Sequence, residues 1–258
     1  MVELSNRLLT IASFVRPGSR IADVGTDHGF LPIHLIEQGI AVHAVAMDIR
    51  KGPLSRAQEH IAEAGLEKQI ETRLGNGLEK LQPGEADTVI IAGMGGPLML
   101  DILRAGSRVT PSVERFVLSP QSDWRGFRLG LEELGMRVCR ETMVFEDGKY
   151  YVIMEVIHED GTAVHGDRII ENGEERGIIS ERADRSSADE NGRELTLRFG
   201  HDLLKEKNPV LRDYLLWQEG ILTGILHKLT ESNKPEVDRR RAEVEADLRY
   251  VSAALQRM

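Results

Sequence analysis

A short apolar strand that runs into a glycine-punctuated acidic turn constrains this chain more than any other feature. In Arg20-Ile-Ala-Asp-Val-Gly-Thr-Asp-His-Gly-Phe-Leu-Pro32, Ile21 to Val24 form the strand and a helix follows the turn. Glycine in such a turn lets the backbone approach a ligand closely, because no Cβ stands in the way. The spacing Asp23-x-Gly25-x-Asp27-x-Gly29 is not the dinucleotide fingerprint, because Asp27 stands where the second glycine would fall. A carboxylate at that point repels a diphosphate. It suits a ligand without phosphate that carries a cationic or hydrogen-bond-donating part.

The same strand-then-helix rhythm continues through residue 157. Strands are expected at Arg20–Val24, His43–Asp48, Gln69–Leu74, Ala86–Ala92, Arg115–Leu118, Arg137–Thr142 and Tyr150–Ile157. Helices are expected at Leu31–Glu37, Pro53–Ala64, Pro97–Ala105 and Trp124–Leu134, with a shorter one at Gly77–Leu81. Ser122-Asp123 is placed to cap the Trp124 helix and Gly135 to stop it. Strands alternating with helices imply a mostly parallel sheet covered on both faces. The last two strands have no helix between them and should pair antiparallel, which completes a seven-stranded mixed sheet of Rossmann-like α/β class. Residues 158–198 change character: they are rich in Glu, Asp, Arg, Ser and Gly and read as an acidic linker. Residues 199–258 read as a C-terminal helical coiled-coil hairpin, with a break near Asn208 and a turn at Ser232-Asn-Lys-Pro235.

In an open parallel sheet, ligands bind beyond the carboxyl ends of the strands. Here the first strand ends in Asp23, Gly25, Thr26, Asp27, His28 and Gly29, and the second in Asp48 and Ile49. The third ends in Asn76 and Gly77, and the fourth in Ala92, Gly93, Met94 and Gly95. A carboxylate such as Asp48 can accept both ribose hydroxyls, and the Asn76 amide can read an adenine edge. The order acidic glycine turn, acid, polar-glycine turn and glycine loop fits S-adenosylmethionine, with its sulfonium, ammonium and ribose groups.

Bulk properties set limits. One cysteine, Cys139, rules out an intrachain disulfide and a cysteine metal cluster, as in a protein of the reducing cytoplasm. The longest uncharged stretch, Thr88 to Leu100, holds three glycines and a proline and is shorter than the roughly 18 apolar residues of a membrane span. Neither a membrane nor a metal is expected as a partner. The net charge of −9 is uneven: −4 in residues 1–157, −5 in residues 158–200 and zero in the remainder. Local patches rather than the total therefore decide whether polyanions bind.

Several blocks resemble the bacterial tRNA (adenine-N1)-methyltransferases that act on adenosine 22 of tRNA. They are the Ile21–Pro32 block, Arg73-Leu-Gly-Asn-Gly77, Ile91-Ala-Gly-Met-Gly-Gly96, Glu146-Asp-Gly-Lys-Tyr-Tyr151 and Phe199-Gly-His-Asp-Leu-Leu-Lys-Glu-Lys-Asn-Pro209. The chain departs from the family's pattern at Asn76 (usually aspartate), Phe30 (usually tyrosine) and Ser119-Pro120-Gln121 (usually Gln-Pro-Asn). The resemblance implies a class I S-adenosylmethionine-dependent methyltransferase domain followed by a coiled-coil domain that grips tRNA.

Adenine N1 carries its own lone pair, so transfer to it requires placement and tolerance of positive charge rather than a strong base. Asp27 is the candidate for the electrostatic role and Phe30 for stacking on the target base, while Met94 and Gly95 belong to the loop that admits it. The Asn/Asp-Pro-Pro-Tyr/Phe loop of exocyclic-amine methyltransferases is absent. Phosphate contacts are expected from Arg16 and Arg20; Arg50, Lys51 and Arg56; Arg125 and Arg128; Lys149; and Arg239, Arg240 and Arg241. Two alternatives stand beside this reading: a methyltransferase for another RNA or a small molecule, and a catalytically silent RNA-binding module. The oligomeric state is expected to be a monomer or weak dimer.

Overall fold

The computed structural model describes residues 4–159, 169–171, 174–176, 190–230 and 235–258. After a first helix α1 (Asn6–Ala12) come β1 (Ser19–Val24), α2 (Phe30–Glu37), β2 (Ala41–Asp48), α3 (Lys51–Glu63) and β3 (Ile70–Leu74). Then follow β4 (Thr88–Ala92), α4 (Gly96–Ala105), β5 (Arg115–Ser119), α5 (Trp124–Glu133), β6 (Met136–Glu146) and β7 (Lys149–His158). The seven strands form one sheet in the order β3-β2-β1-β4-β5-β7-β6. β1 to β5 run parallel, and β7 is antiparallel to both β5 and β6. The strand order reverses between β1 and β4, the point at which open α/β sheets form their ligand crevice.

Burial explains the layering. β4 and β5 are covered on both faces, as expected of parallel strands in the middle of a sheet. One face packs Ile21, Ile90 and Val117 against α1, α2 and α3. The other packs Val24, Val89, Ile91 and Leu118 against α4, α5 and the C-terminal helices.

β6 runs four residues past the expected Thr142, because Asp147 and Gly148 take φ of 49° and 74° and close a two-residue hairpin. No helix forms at Gly77–Leu81. Gly77 takes a left-handed φ of 55°, and the segment closes as turns through Glu79 N–H to the Asn76 carbonyl and Leu81 N–H to the Leu78 carbonyl. Asp123 caps α5 by accepting from Gly126 N–H, while Gly135 sits at φ 65° just beyond the helix.

The segment 158–198, read as a linker, contains structure. β7 includes His158, and β8 (Ile169–Glu171) pairs antiparallel with β9 (Glu174–Arg176). Helix α6 (Glu190–Phe199) buries Leu195, Leu197 and Phe199 and docks on α5. Apart from Glu159, whose N–H donates to the Gly135 carbonyl, the rest of that segment, and the turn expected at 232–235 except Pro235 itself, lie outside the described residues. Beyond α6 come α7 (His201–Lys205), α8 (Pro209–Thr230) and α9 (Pro235–Leu255). The break before α8 falls at Asn208, whose Oδ1 accepts from Val210 and Leu211 N–H. α8 and α9 lie antiparallel, with Arg241 donating to the Leu229 carbonyl and Ser252 to Glu219. Their inner residues Leu211, Leu215, Leu222, Val244 and Val251 join the core under α5. Among the described residues, no helix is long and apolar enough to cross a membrane.

Candidate active site

The turn after β1 is tied to the end of β2: Gly25 and Thr26 N–H both donate to the Met47 carbonyl, at 2.8 and 2.9 Å. Gly25 takes φ +82°, and a Cβ there would collide with the Met94 Cε, so the thioether lies directly over the turn. His28 and Gly29 are also left-handed, at φ 64° and 69°, and Gly29 opens α2.

Two buried carboxyls face this crevice. Asp48 Oδ1 accepts from Arg50 N–H at 2.6 Å, while its second oxygen has no hydrogen bond among the described residues. Burial pushes the Asp23 carboxyl up to about 6, against the opposing pull of the Thr26 hydroxyl, and the Asp48 carboxylate adds to the rise. The Thr26 hydroxyl is itself buried and makes no hydrogen bond of ordinary geometry. Ile49 and Asn76 stand exposed at the ends of β2 and β3, with Asn76 Nδ2 at 3.3 Å from Glu79 Oε1.

The raised Asp23 pKa has a stability consequence. The folded carboxyl keeps its proton to a higher pH than the unfolded one, whose value is 3.8. The folded state therefore binds more protons between about pH 4 and 6, and stability falls as pH rises through that window. Asp23→Asn should be more stable than the parent above about pH 6, by up to roughly 3 kcal/mol, and should lose the advantage near pH 4. Urea unfolding at the two pH values measures this; equal stabilities at both would show that Asp23 carries no burial penalty.

On the other side of the switch point, Gly93 takes φ 84° and Gly95 precedes α4. Gln121 N–H donates to the Met94 carbonyl at 2.9 Å, and Gly96 N–H to the Ser122 carbonyl at 3.2 Å. A Cβ on Gly96 would lie 2.8 Å from that carbonyl, so only glycine lets the two loops meet. The buried Ser119 Oγ beneath them has no hydrogen-bond partner among the described residues.

Asp23, Gly25, Thr26, His28, Gly29, Asp48, Ile49, Asn76, Gly77, Ala92, Gly93, Met94 and Gly95 thus lie along one sheet edge. Asp27 lies in the same turn, and Phe30 follows it at the start of α2. Asp27 pairs with Arg56 of α3 at 2.9 Å, so its charge is already compensated. Phe30 packs its ring against His28 and His60, at 5.1 and 4.8 Å between centroids, on the α2–α3 face.

Of the basic candidates, Arg50 and Lys51 (start of α3), Arg125 (start of α5) and Lys149 (start of β7) are at the carboxyl edge. Arg125 is held by Glu194 in two hydrogen bonds of 2.7 and 3.0 Å. Arg16 and Arg20 lie at the opposite edge, near Glu155 and Asp87, because they precede or begin β1. Arg128 is buried against Glu141 and is not a surface cation. Arg239 and Arg240 share Glu243, and Arg241 pairs with Asp238, all on α9. The aromatic cluster of Trp124, Tyr150, Tyr214 and Trp217 at this edge was missed from sequence, because its members are scattered from position 124 to 217 and only the adjacent Tyr150-Tyr151 pair stands out locally.

Residues 4–154 match the family described as a methyltransferase domain. The chain belongs to that family. This methyltransferase-domain protein is 37% identical over 153 residues to the tRNA (adenine(22)-N(1))-methyltransferase of Bacillus subtilis (strain 168). The match takes in 59% of this chain and 64% of that relative, so the chain spans less than two thirds of the curated protein's length. The crystal structure of the B. subtilis m1A22 tRNA methyltransferase TrmK superposes with a TM-score of 0.79 at 26% identity, covering 99% of this chain and all of that one. The Streptococcus pneumoniae protein Sp1610, solved in complex with S-adenosyl-L-methionine, superposes with a TM-score of 0.77 at 27% identity, covering 98% and 100%. The resemblance drawn from the motifs is therefore matched in sequence and in fold.

The site fits such a donor. The left-handed Gly25 turn leaves room for a ligand, and the Asp48 oxygen without a hydrogen bond among the described residues leaves an acceptor for hydroxyl or amino donors. No cationic side chain neutralises Asp23 among its interactions, which suits a ligand that brings its own positive charge.

Proposed function

We propose that this protein transfers a methyl group from S-adenosylmethionine to N1 of adenosine 22 in tRNA, in the bacterial cytoplasm. The carrying observation is the convergence of the Gly25 turn, the buried Asp23 and Asp48 carboxyls and the Gly93–Gly96 loop on one switch point. The similarity to the B. subtilis enzyme supports the substrate. S-adenosylmethionine, when bound, supplies an electrophilic methyl group on a sulfonium.

The protein's part is holding and shaping. Asp48 accepts the ribose hydroxyls, and Asn76 and Ile49 border the adenine. Asp23 sits where an ammonium would hold it ionised. Gly93, Met94 and Gly95 admit the target base: glycine spares the approach, and the Met94 thioether fills the space above Gly25 without adding charge. N1 attacks with its own lone pair, so no side chain has to remove a proton before transfer. Asp27, engaged with Arg56, and Phe30, grouped with the mutually stacked His28 and His60 rings, are positioning residues that fix the turn. Lys51, Lys149 and the α9 arginines are the phosphate contacts nearest in character to an RNA grip.

The test is incubation with methyl-labelled donor and bulk unmodified tRNA, followed by nucleoside analysis. Label in N1-methyladenosine is the expected result. Donor binding without label in tRNA rejects the substrate, and absence of donor binding rejects the enzyme.

A further inference from the structure

Five aromatic rings meet at the carboxyl edge of the sheet, beyond β5. Phe145 lies next to the end of β6, Tyr150 is the second residue of β7, Trp124 begins α5, and Tyr214 and Trp217 come from α8. Ring centroids lie 4.6 Å apart for Phe145–Tyr150, 5.1 Å for Tyr150–Tyr214, 5.1 Å for Trp124–Tyr214 and 5.8 Å for Tyr150–Trp217. Both tryptophans of the chain are here, although only 5% of its residues are aromatic.

Packing alone does not account for the cluster. Tyr214 is its anchored centre, but Phe145 and Trp217 are 52% and 50% exposed. Leu216 and Ile221 on α8 are also exposed. Large rings left half in water at one place mark a binding surface.

The cluster is continuous with the crevice. The Trp124 indole N–H donates to the Pro120 carbonyl at 2.9 Å, and the next residue, Gln121, donates to the Met94 carbonyl. Two hydrogen bonds thus connect the loop over Gly25 to the aromatic surface. The rings lie on the β5 side of the switch point, opposite the strand ends that hold Asp48 and Asn76.

We propose that Phe145 and Trp217, backed by Tyr150 and Tyr214, form a stacking platform for unpaired RNA bases that flank the target nucleotide. This rests on the reading of the substrate as RNA. Bases present apolar faces to any aromatic surface, and stacking on exposed rings is indifferent to sequence. Charge placement agrees: Lys149, adjacent to Tyr150, is exposed and has no ion pair among the described residues, so it can meet a backbone phosphate. Asp147 in the hairpin turn and Asp213 close to Tyr150 would repel phosphate, which leaves base faces to the rings and the backbone to Lys149. Phe30, by contrast, is engaged with His28 and His60 on the other face of the sheet.

The experiment measures full-length protein binding to fluorescently labelled unmodified tRNA by anisotropy, with donor affinity and sedimentation followed alongside. Trp217→Ala and Phe145→Ala should each weaken tRNA binding by about tenfold, as expected for a lost base–aromatic stack. Trp217→Phe should stay close to the parent, and donor affinity should not change in any variant. A Phe145→Ala/Trp217→Ala double variant that binds tRNA as the parent does overturns the platform. So does a double variant that abolishes a concentration-dependent dimer while leaving tRNA affinity intact, since the patch would then serve a second copy of the chain. If the parent binds tRNA through these rings yet yields no N1-methyladenosine, the platform stands and the proposed reaction fails. If methylation proceeds and binding ignores the rings, the reverse holds.

Discussion

Arg128→Ala is expected to cost about 3–5 kcal/mol of folding stability, the range for breaking a buried ion pair by removing one partner. The Arg128 and Glu141 side chains are 6% and 2% exposed, and Nη2 donates to Oε2 at 2.6 Å. Arg128 Nη1 also donates to the Leu197 carbonyl at 3.1 Å. One guanidinium therefore joins α5, β6 and the end of α6, where the chain leaves the sheet for its C-terminal helices. The fit is tight: Gly200, at φ +93°, sits so close over the Glu141 carboxylate that any Cβ would collide with it. Truncating Arg128 leaves a carboxylate without solvent or counter-charge. Arg125→Ala offers a control on the same helix, because its partner Glu194 is reached from a half-exposed side chain; that loss should be below about 1 kcal/mol. Urea denaturation of both variants separates the cases. Equal small losses would mean that the Arg128 pair is solvated. Replacing both partners together, as Arg128→Met/Glu141→Leu, should recover much of the stability, since no charge is then stranded.

Asp48→Ala is expected to weaken S-adenosylmethionine binding by roughly 30-fold or more, about 2 kcal/mol for hydrogen bonds to a charged acceptor. The carboxylate is buried at the end of β2; one oxygen takes the Arg50 N–H and lies 3.5 Å from its guanidinium, and the other has no hydrogen bond among the described residues. The fold should survive, because the freed Arg50 N–H lies at the exposed start of α3. Asp48→Asn should lose less, keeping one acceptor but no charge. Calorimetric titration with the donor checks both. Unchanged affinity in the alanine variant would remove Asp48 from the ribose site.

Much of the sheet domain was legible because local signals agreed. Alternating strands and helices, glycines at the turns and acids at the ends of β1 and β2 all report one architecture. What the sequence hid depended on partners far along the chain. Leu195, Leu197 and Phe199 are spaced by two, a strand-like period, so α6 reads as linker until α5 is seen beneath it. Gly77 breaks a helix that the apolar Leu78 and Leu81 suggest. The Asp27 ion pair with Arg56, 29 residues later, becomes visible only once α3 is placed beside the turn. Arg125 and Arg128 are the same residue type one turn apart, yet one is at the surface and the other is buried. The aromatic cluster draws on positions from 124 to 217, a proximity that only tertiary packing creates.

The proposed reaction is tested most directly by mapping the methyl group on a defined tRNA. A transcribed tRNA with adenosine at position 22 and a copy with guanosine there are each incubated with the protein and donor, and modified sites are read by reverse-transcription arrest and nucleoside mass spectrometry. The account predicts N1-methyladenosine at position 22 of the first transcript and none in the second. Methylation at another position, on another atom, or equally in both transcripts would contradict it.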